Sequence, residues 1–280
     1  RSFKKRLDVL TLTATPIPRT LQQSLLGLRD LSTILTPPKS RRPIFTTVRY
    51  FDWDLVFSYI DVELDRGGQV YFLHNDIKSI PYITEKIRSR FSGATTGEVS
   101  GKMPSGILES TILSFFRNEI DILVCTTIIE SGLDVTNANC IIINHAQNFG
   151  LSQLYQIRGR VGRGAKQAHC LLLVPHRPLE KDAHRRLKAV EQNSALGSGY
   201  NISMKDLEIR GAGSLFGYKQ SGHISAVGFE MYCEIFKSEI DRATGRDKAD
   251  DMPSIHLSGS ADISDDYIID RSFRIDYYYK

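Results

Sequence analysis

Short, almost wholly apolar runs recur along the first two thirds of the chain, and between them apolar residues return at helical spacing. The runs predict strands at about Ile44–Arg49, Gln69–Leu73, Thr95–Val99, Asp121–Cys125, Cys140–Asn144 and His169–Val174. Leu55, Val56, Tyr59, Ile60 and Leu64 form one helical stripe, which stops at Gly67-Gly68. Ile80, Ile83 and Ile87 form a second, ending near Gly93. Ile107, Leu108, Thr111, Ile112, Phe115 and Phe116 form a third, opened by Pro104-Ser105. Strands that are apolar on both faces and separated by such helices predict a parallel sheet covered on both sides.

The fold class is therefore α/β, a RecA-like or Rossmann-like layer. Before it, Val9–Leu12 reads as a short strand and Leu21–Leu28 as a brief helix. Thr36–Pro43, with three prolines and the basic Lys39, Arg41 and Arg42, reads as an inter-domain linker. From Leu179 the alternation ceases. Leu179–Leu196 is a charged helix, Gly197–Tyr200 a turn and Met204–Arg210 a second short helix, together a helical hairpin. A glycine-rich run, Gly211–Gly222, leads to an amphipathic helix at about Phe229–Asp241, and Thr244–Asp251 is a polar linker. The remainder, Ile255 to Lys280, is too short to build its own core. The chain opens at Arg1 with no initiator Met and is expected to be a fragment.

The bulk numbers narrow the class without naming a function. Apolar content of 41% and charged content of 24% are ordinary for a soluble globular protein, and 280 residues leave ample chain for a core. A net charge of only +4 means that any nucleic-acid surface must come from local clustering. Such clustering exists: between Arg158 and Lys188 nine cations face only Glu180 and Asp182. Cys125, Cys140, Cys170 and Cys233 form no C-x-x-C pair and read as reduced core thiols of a cytoplasmic protein. No apolar run approaches a membrane span, and no metal site is expected.

The chemistry concentrates in Gln153–Arg163, Q-L-Y-Q-I-R-G-R-V-G-R. If this stretch is helical from about Leu151, Gln153, Gln156, Arg160 and Arg163 fall on one narrow arc. Leu154, Tyr155 and Val161 then point away, toward a core. Gly159 and Gly162 interrupt the helix, at a cost of roughly 1 kcal/mol each. Clustered arginines need an anion, and a planar guanidinium suits a phosphate through two parallel hydrogen bonds. A second candidate follows the strand ending at Cys125. Thr126 and Thr127 can hydrogen-bond a nucleic-acid phosphate without reading sequence, and Gly132 and Asp134 place a carboxylate near a nucleotide ribose or metal. Read alone, that second stretch equally fits a hydroxyl-rich turn with a capping Asp.

The pattern Gln156, Gly159, Arg160, Gly162, Arg163 resembles motif VI of the superfamily 2 helicases and translocases. In that family a second RecA-like lobe offers arginine fingers to ATP held by the first. The resemblance implies catalytic roles for Arg160 and Arg163, and ATP contacts for Gln156, Gly132 and Asp134. T-T-x-x-x-x-G-x-D, at Thr126 to Asp134, resembles motif V. Thr13-Ala14-Thr15-Pro16 resembles motif III, and Gly68–Asp76 resembles motif IV. DNA contacts are implied for Thr15, Thr126 and Thr127. Val99-Ser100-Gly101 departs from the glycine-flanked histidine usual at the next nucleic-acid contact. Asp206–Gly213, D-L-E-I-R-G-A-G, with Gln220-Ser221-Gly222, resembles the hairpin shared by the RecG and transcription-repair coupling factor families. The continuations Val227-Gly228-Phe229 and Asp251–Ser254 look like the latter.

This resemblance implies residues 1–36 as the end of a first lobe and linker, 37–178 as a second RecA-like lobe, 179–228 as the hairpin, and 229–280 as a connecting helix and the start of a further domain. It implies a double-stranded DNA translocase that dislodges stalled RNA polymerase and recruits excision repair. Polymerase and UvrA would bind through domains outside this segment. Arg185, Arg186, Arg210 and Gln220 would couple hydrolysis to movement. The sequence holds no G-x-x-x-x-G-K-[ST] phosphate loop and no acidic box before Thr13, so ATP and Mg2+ would be held mainly by a first lobe. RecG-type branch migration and a non-catalytic DNA-binding adaptor are the competing readings.

Overall fold

The computed structural model describes residues 41–127 and 135–210, with scattered positions toward either end. The chain divides into two compact units, Arg1–Lys237 and Ser238–Lys280. In the second, Ser238 and Arg242 are described, both helical and exposed. Among its described residues the first contains six strands: β1 (Phe45–Tyr50), β2 (Gln69–Leu73), β3 (Thr96–Val99), β4 (Ile122–Cys125), β5 (Ala138–Ile143) and β6 (His169–Val174). All pair in parallel, in the order β1-β6-β5-β2-β4-β3. The predicted strands hold to within two residues, a margin typical of element ends.

Helices α1 (Trp53–Asp65), α2 (Ile80–Arg90), α3 (Ser105–Phe116) and α4 (Leu151–Arg158) connect the strands. The strand order and the right-handed crossover rule decide which face each covers. The steps β1→β2→β3 run one way across the sheet, so α1 and α2 share a face. The steps β3→β4 and β5→β6 run back, so α3 and α4 take the other. Two separate cores follow. Val70, Phe72, Ile122, Val124 and Ile142 pack with Val56 and Ile60 of α1 and Ile80, Ile83 and Ile87 of α2. Their strand neighbours Tyr71, Leu73, Leu123, Ile141 and Ile143 pack with Phe115 of α3 and Leu151, Leu154 and Ile157 of α4.

The hairpin follows as α5 (Lys181–Gln192) and α6 (Gly199–Arg210). It joins the second core, which includes Leu187, Val190 and Ile202. The expected turn at Gly197–Tyr200 is shorter than its sequence predicts, because α6 begins at Gly199. Gly197, at φ +80°, takes a left-handed conformation just before the helix, and the Ser198 carbonyl accepts from Ile202 N at 2.9 Å. The start of α6 lacks an apolar stripe because its buried face carries Ser203 and Asp206, both fully buried.

Leu10 and Leu12, expected in a strand, are exposed and in no regular element. A strand needs a paired neighbour to satisfy its backbone, and none accompanies them among the described residues. The Leu21–Leu28 helix, Thr15, the glycine-rich run and Gln220 lie outside the described residues. Met231 and Ile235, within the expected amphipathic helix, are helical. Cys125, Cys140 and Cys170 are free and buried in β4, β5 and β6, and burial pushes all three thiols up. Among the described residues no helix is long and apolar enough to cross a membrane.

Candidate nucleotide-facing site

Helix α4 follows the extended N-cap Gly150 and sets Leu151, Leu154 and Ile157 into the core. It stops at Arg158, so the single helical arc expected for Gln156, Arg160 and Arg163 does not form. The cause is visible in the backbone. Gly159 N still bonds Tyr155 O, but Arg160 N and Val161 N reach back only three residues, to Ile157 O and Arg158 O. Gly162 then bonds Ala138 O of β5 with φ +71°, a left-handed conformation that glycine adopts without strain. A Cβ there would sit 2.9 Å from the Ala168 Cβ, so the turn is also packed closely. The two glycines end the helix and aim the chain toward β6; they do not interrupt it.

The turn nonetheless gathers three of the four residues expected on that arc, though not Gln153. Gln156, Arg160 and Arg163 line one cleft of about 430 Å³, together with Arg41 and Arg158. Ser194–Gly197, the link between the hairpin helices, forms another wall. No carboxylate lines it among the described residues. Tyr155, packed against the core as expected, also borders the cleft, and the Arg158 guanidinium lies 4.8 Å from its ring centroid. Four guanidiniums gather there without a lining carboxylate among the described residues, an arrangement whose chemistry suits an anion.

Arg158 is the functional candidate that pattern reading passed over. It is 3% exposed, and its Nη1 and Nη2 donate to Val190 O and Asn193 O, both at 2.9 Å. Those carbonyls belong to the C-terminal end of α5, where helical carbonyls lack partners and the helix dipole favours a cation. Burial lowers the guanidinium pKa from its ordinary value. At the opposite end of α4, Ser152 Oγ donates to the fully buried Asp206 of α6 at 2.9 Å. The hairpin thus grips the arginine helix at both ends. Arg186 adds a third tie, donating from Nε to Phe149 O at 3.2 Å and from Nη2 to Gln147 O at 3.0 Å. Arg185 is exposed and lies 3.8 Å from Asp182. Arg210 is the last residue of α6.

A second polar group sits at the carboxyl mouths of β2, β4 and β5. Thr126 is buried and Thr127 half-buried; Thr127 N donates to Asn75 Oδ1 at 3.2 Å. Gly132 and Asp134 lie outside the described residues. Behind the threonines runs a relay that the sequence reading absorbed into a core strand. His145 N donates to Asn144 Oδ1 at 2.8 Å, which turns the Asn144 amide nitrogen toward His74 Nδ1 at 3.1 Å. His74 is thereby the tautomer protonated on Nε2, which donates to Ser79 Oγ at 2.7 Å. Ser79 in turn donates to Asp76 Oδ2 at 2.7 Å. Burial, and then the adjacent His145, hold His74 below the ordinary imidazole value.

With this geometry in place, the likenesses to known proteins become decisive. Residues 54–165 match the helicase conserved C-terminal domain. The chain is 45% identical to the transcription-repair-coupling factor of Myxococcus xanthus over 99% of its own length and 23% of that protein. It is 46% identical to that of Mycobacterium bovis over 84% of its length and 19% of that protein. The chain belongs to the transcription-repair-coupling factor family. It spans about a quarter of the length of such relatives. Among solved structures it resembles RecG bound to a three-way DNA junction, with a TM-score of 0.62 and 30% identity over 83% of this chain and 32% of that one. The parallel sheet is thus a RecA-like helicase lobe.

Proposed function

We propose that this chain is the C-terminal motor half of an ATP-dependent double-stranded DNA translocase that removes stalled RNA polymerase and couples transcription to nucleotide excision repair. One observation carries the reading: Arg160, Arg163 and Gln156 meet in a cleft lined by no acid among the described residues, beside a hairpin bonded to both ends of the helix that leads into them. The cleft suits the phosphates of ATP. Its cationic lining does not suit Mg2+, which a first lobe outside this chain would hold. ATP supplies the transferable phosphoryl group. Arg160 and Arg163 donate to its oxygens and stabilise the charge that spreads over them during transfer. Thr126, Thr127 and Thr15 hold DNA phosphates. Gly132 and Asp134 add nucleotide contacts, and polymerase and UvrA engage other parts of the protein.

Hairpin movement converts lobe closure into displacement, with Arg185, Arg186, Arg210 and Gln220 in that linkage. The test is an ATPase assay on the full-length protein, with and without double-stranded DNA, beside the 280-residue chain alone. DNA-stimulated hydrolysis by the full-length protein and none by the chain supports the reading. Turnover by the chain alone overturns it. Arg210→Ala or Gln220→Ala should keep DNA-dependent hydrolysis and lose displacement of a triplex-forming strand. A RecG-type branch-migration activity is the second reading, favoured by the fold and identity shared with RecG. Unwinding of a three-way junction by the full-length protein, without polymerase removal, would select it.

A further inference from the structure

Gln156, Arg160 and Arg163 are accounted for by the proposed phosphate contacts, and Arg158 by the carbonyls of α5. Arg41 is the remaining guanidinium of the cleft and has no such account. It comes from the proline-bearing stretch before β1, not from the arginine turn. Its Nε is buried and has no hydrogen-bond partner among the described residues. A shielded guanidinium N–H calls for an acceptor, and no carboxylate among the cleft-lining residues supplies one. Its position is held by packing. Ile44, three residues on, is buried, and its Cγ1 lies 3.1 Å from where a Cβ on Gly162 would stand. The start of β1 and the arginine turn are therefore pressed together, with Arg41 at their shared edge.

We propose that Arg41 is a third phosphate-binding guanidinium of this cleft, joining Arg160 and Arg163 on the terminal phosphates of a nucleoside triphosphate. The proposal rests on the nucleotide reading of the cleft. Nε–H and the adjacent Nη–H form the pair with which arginine grips two oxygens of one phosphate, so the orphaned Nε is half of a ready bidentate contact. A cleft of about 430 Å³ is of small-molecule size, which favours a nucleotide over a duplex backbone. With Arg41 bonded, the segment entering the lobe is tied to nucleotide occupancy.

The experiment follows arginine Nε–H signals by NMR while the 280-residue chain is titrated with inorganic triphosphate, the signals being assigned by Arg41→Lys, Arg160→Lys and Arg163→Lys. The Arg41 and Arg163 signals are expected to move together. Arg41→Lys should weaken binding about tenfold, since an ammonium keeps the charge but loses the paired geometry, with thermal unfolding unchanged. If Arg163 responds and Arg41 does not, the proposal is overturned while the cleft remains a phosphate site. If neither responds, both readings fall. If a short DNA duplex moves the Arg41 signal and triphosphate does not, Arg41 serves DNA and the proposal is again overturned.

Discussion

The two faces of the sheet are built from the same strands yet hold different kinds of interior. Under α1 and α2 the core is aliphatic and aromatic, from Val56 and Ile60 to Ile87 and Phe91. Its polar contacts among the described residues are few: buried Glu63 pairs with Arg66 at the end of α1 and accepts from Asn139 Nδ2 of β5 at 3.4 Å, and Tyr59 meets Thr47 of β1 at 3.1 Å. Under α3 to α6 the apolar core is threaded by groups that bond across elements: Arg158, Asp206 with Ser152, and Gln69, whose amide donates to Phe115 O and Ile120 O at 2.7 Å. An apolar face needs only volume and pattern to pack well. A face held by directional bonds has few acceptable arrangements, so displacement of one element is transmitted to its partners. Under the proposed function, the first face serves as the platform and the second as the part that registers a nucleotide.

The largest effect should come from the second face. In the full-length protein, Arg163→Ala is expected to lower kcat by roughly 10³, the scale of arginine-finger losses, with Arg163→Lys recovering little. Steady-state hydrolysis against DNA concentration checks it. Retained hydrolysis with weakened, salt-sensitive DNA binding would move these arginines to DNA and dissolve the division of labour.

Next come two core variants of similar cost but different consequence. Ile60→Ala, on the platform face, should destabilise by about 3 kcal/mol through lost burial and a cavity. Arg158→Met should cost about as much, because Val190 O and Asn193 O lose charged donors inside the protein. Urea denaturation of the chain measures both. At a temperature where both remain folded, only Arg158→Met should depress DNA-stimulated hydrolysis by the full-length protein. Equal depression by Ile60→Ala would show that the faces are not functionally distinct.

A milder probe loosens the other end of α4. Ser152→Ala leaves the buried Asp206 carboxylate short of one donor, with an expected loss of about 1–2 kcal/mol in the same urea assay. A loss below the error of the assay would mean that Asp206 is held by its other partners, and that the N-terminal grip on α4 is weak.

The smallest effect is a pH dependence at the strand mouth. His74 has a folded pKa below the ordinary 6.5. Its neutral form is favoured by folding, so the stability it contributes is present above 6.5 and is lost as pH falls through 6.5 toward the folded value. Wild type should therefore lose more stability between pH 7.5 and 5.5 than His74→Gln does, by thermal unfolding at each pH. Identical profiles would remove the relay as a titrating element.

Most of the fold was legible in the chain. Periods of two and 3.6 mark residues that reach a core from a strand or a helix, and such burial depends on near neighbours alone. For this reason the sheet, its first three helices and the arginine–glycine cluster could be placed from sequence, as could the hairpin in outline. The end of α4 at Arg158 could not, because Gly162 leaves the helix to bond Ala138 of another strand. Nor could the role of Arg158, whose acceptors lie 32 and 35 residues ahead, or the pairing of Ser152 with Asp206 across 54. Which carbonyls a helix leaves unpaired, and which cation reaches them, is settled only when distant elements are docked. Sequence determined most of the apolar residues that are buried; the tertiary structure decided which polar groups join them and which hold one another, since directional bonds require a geometry that no local pattern encodes.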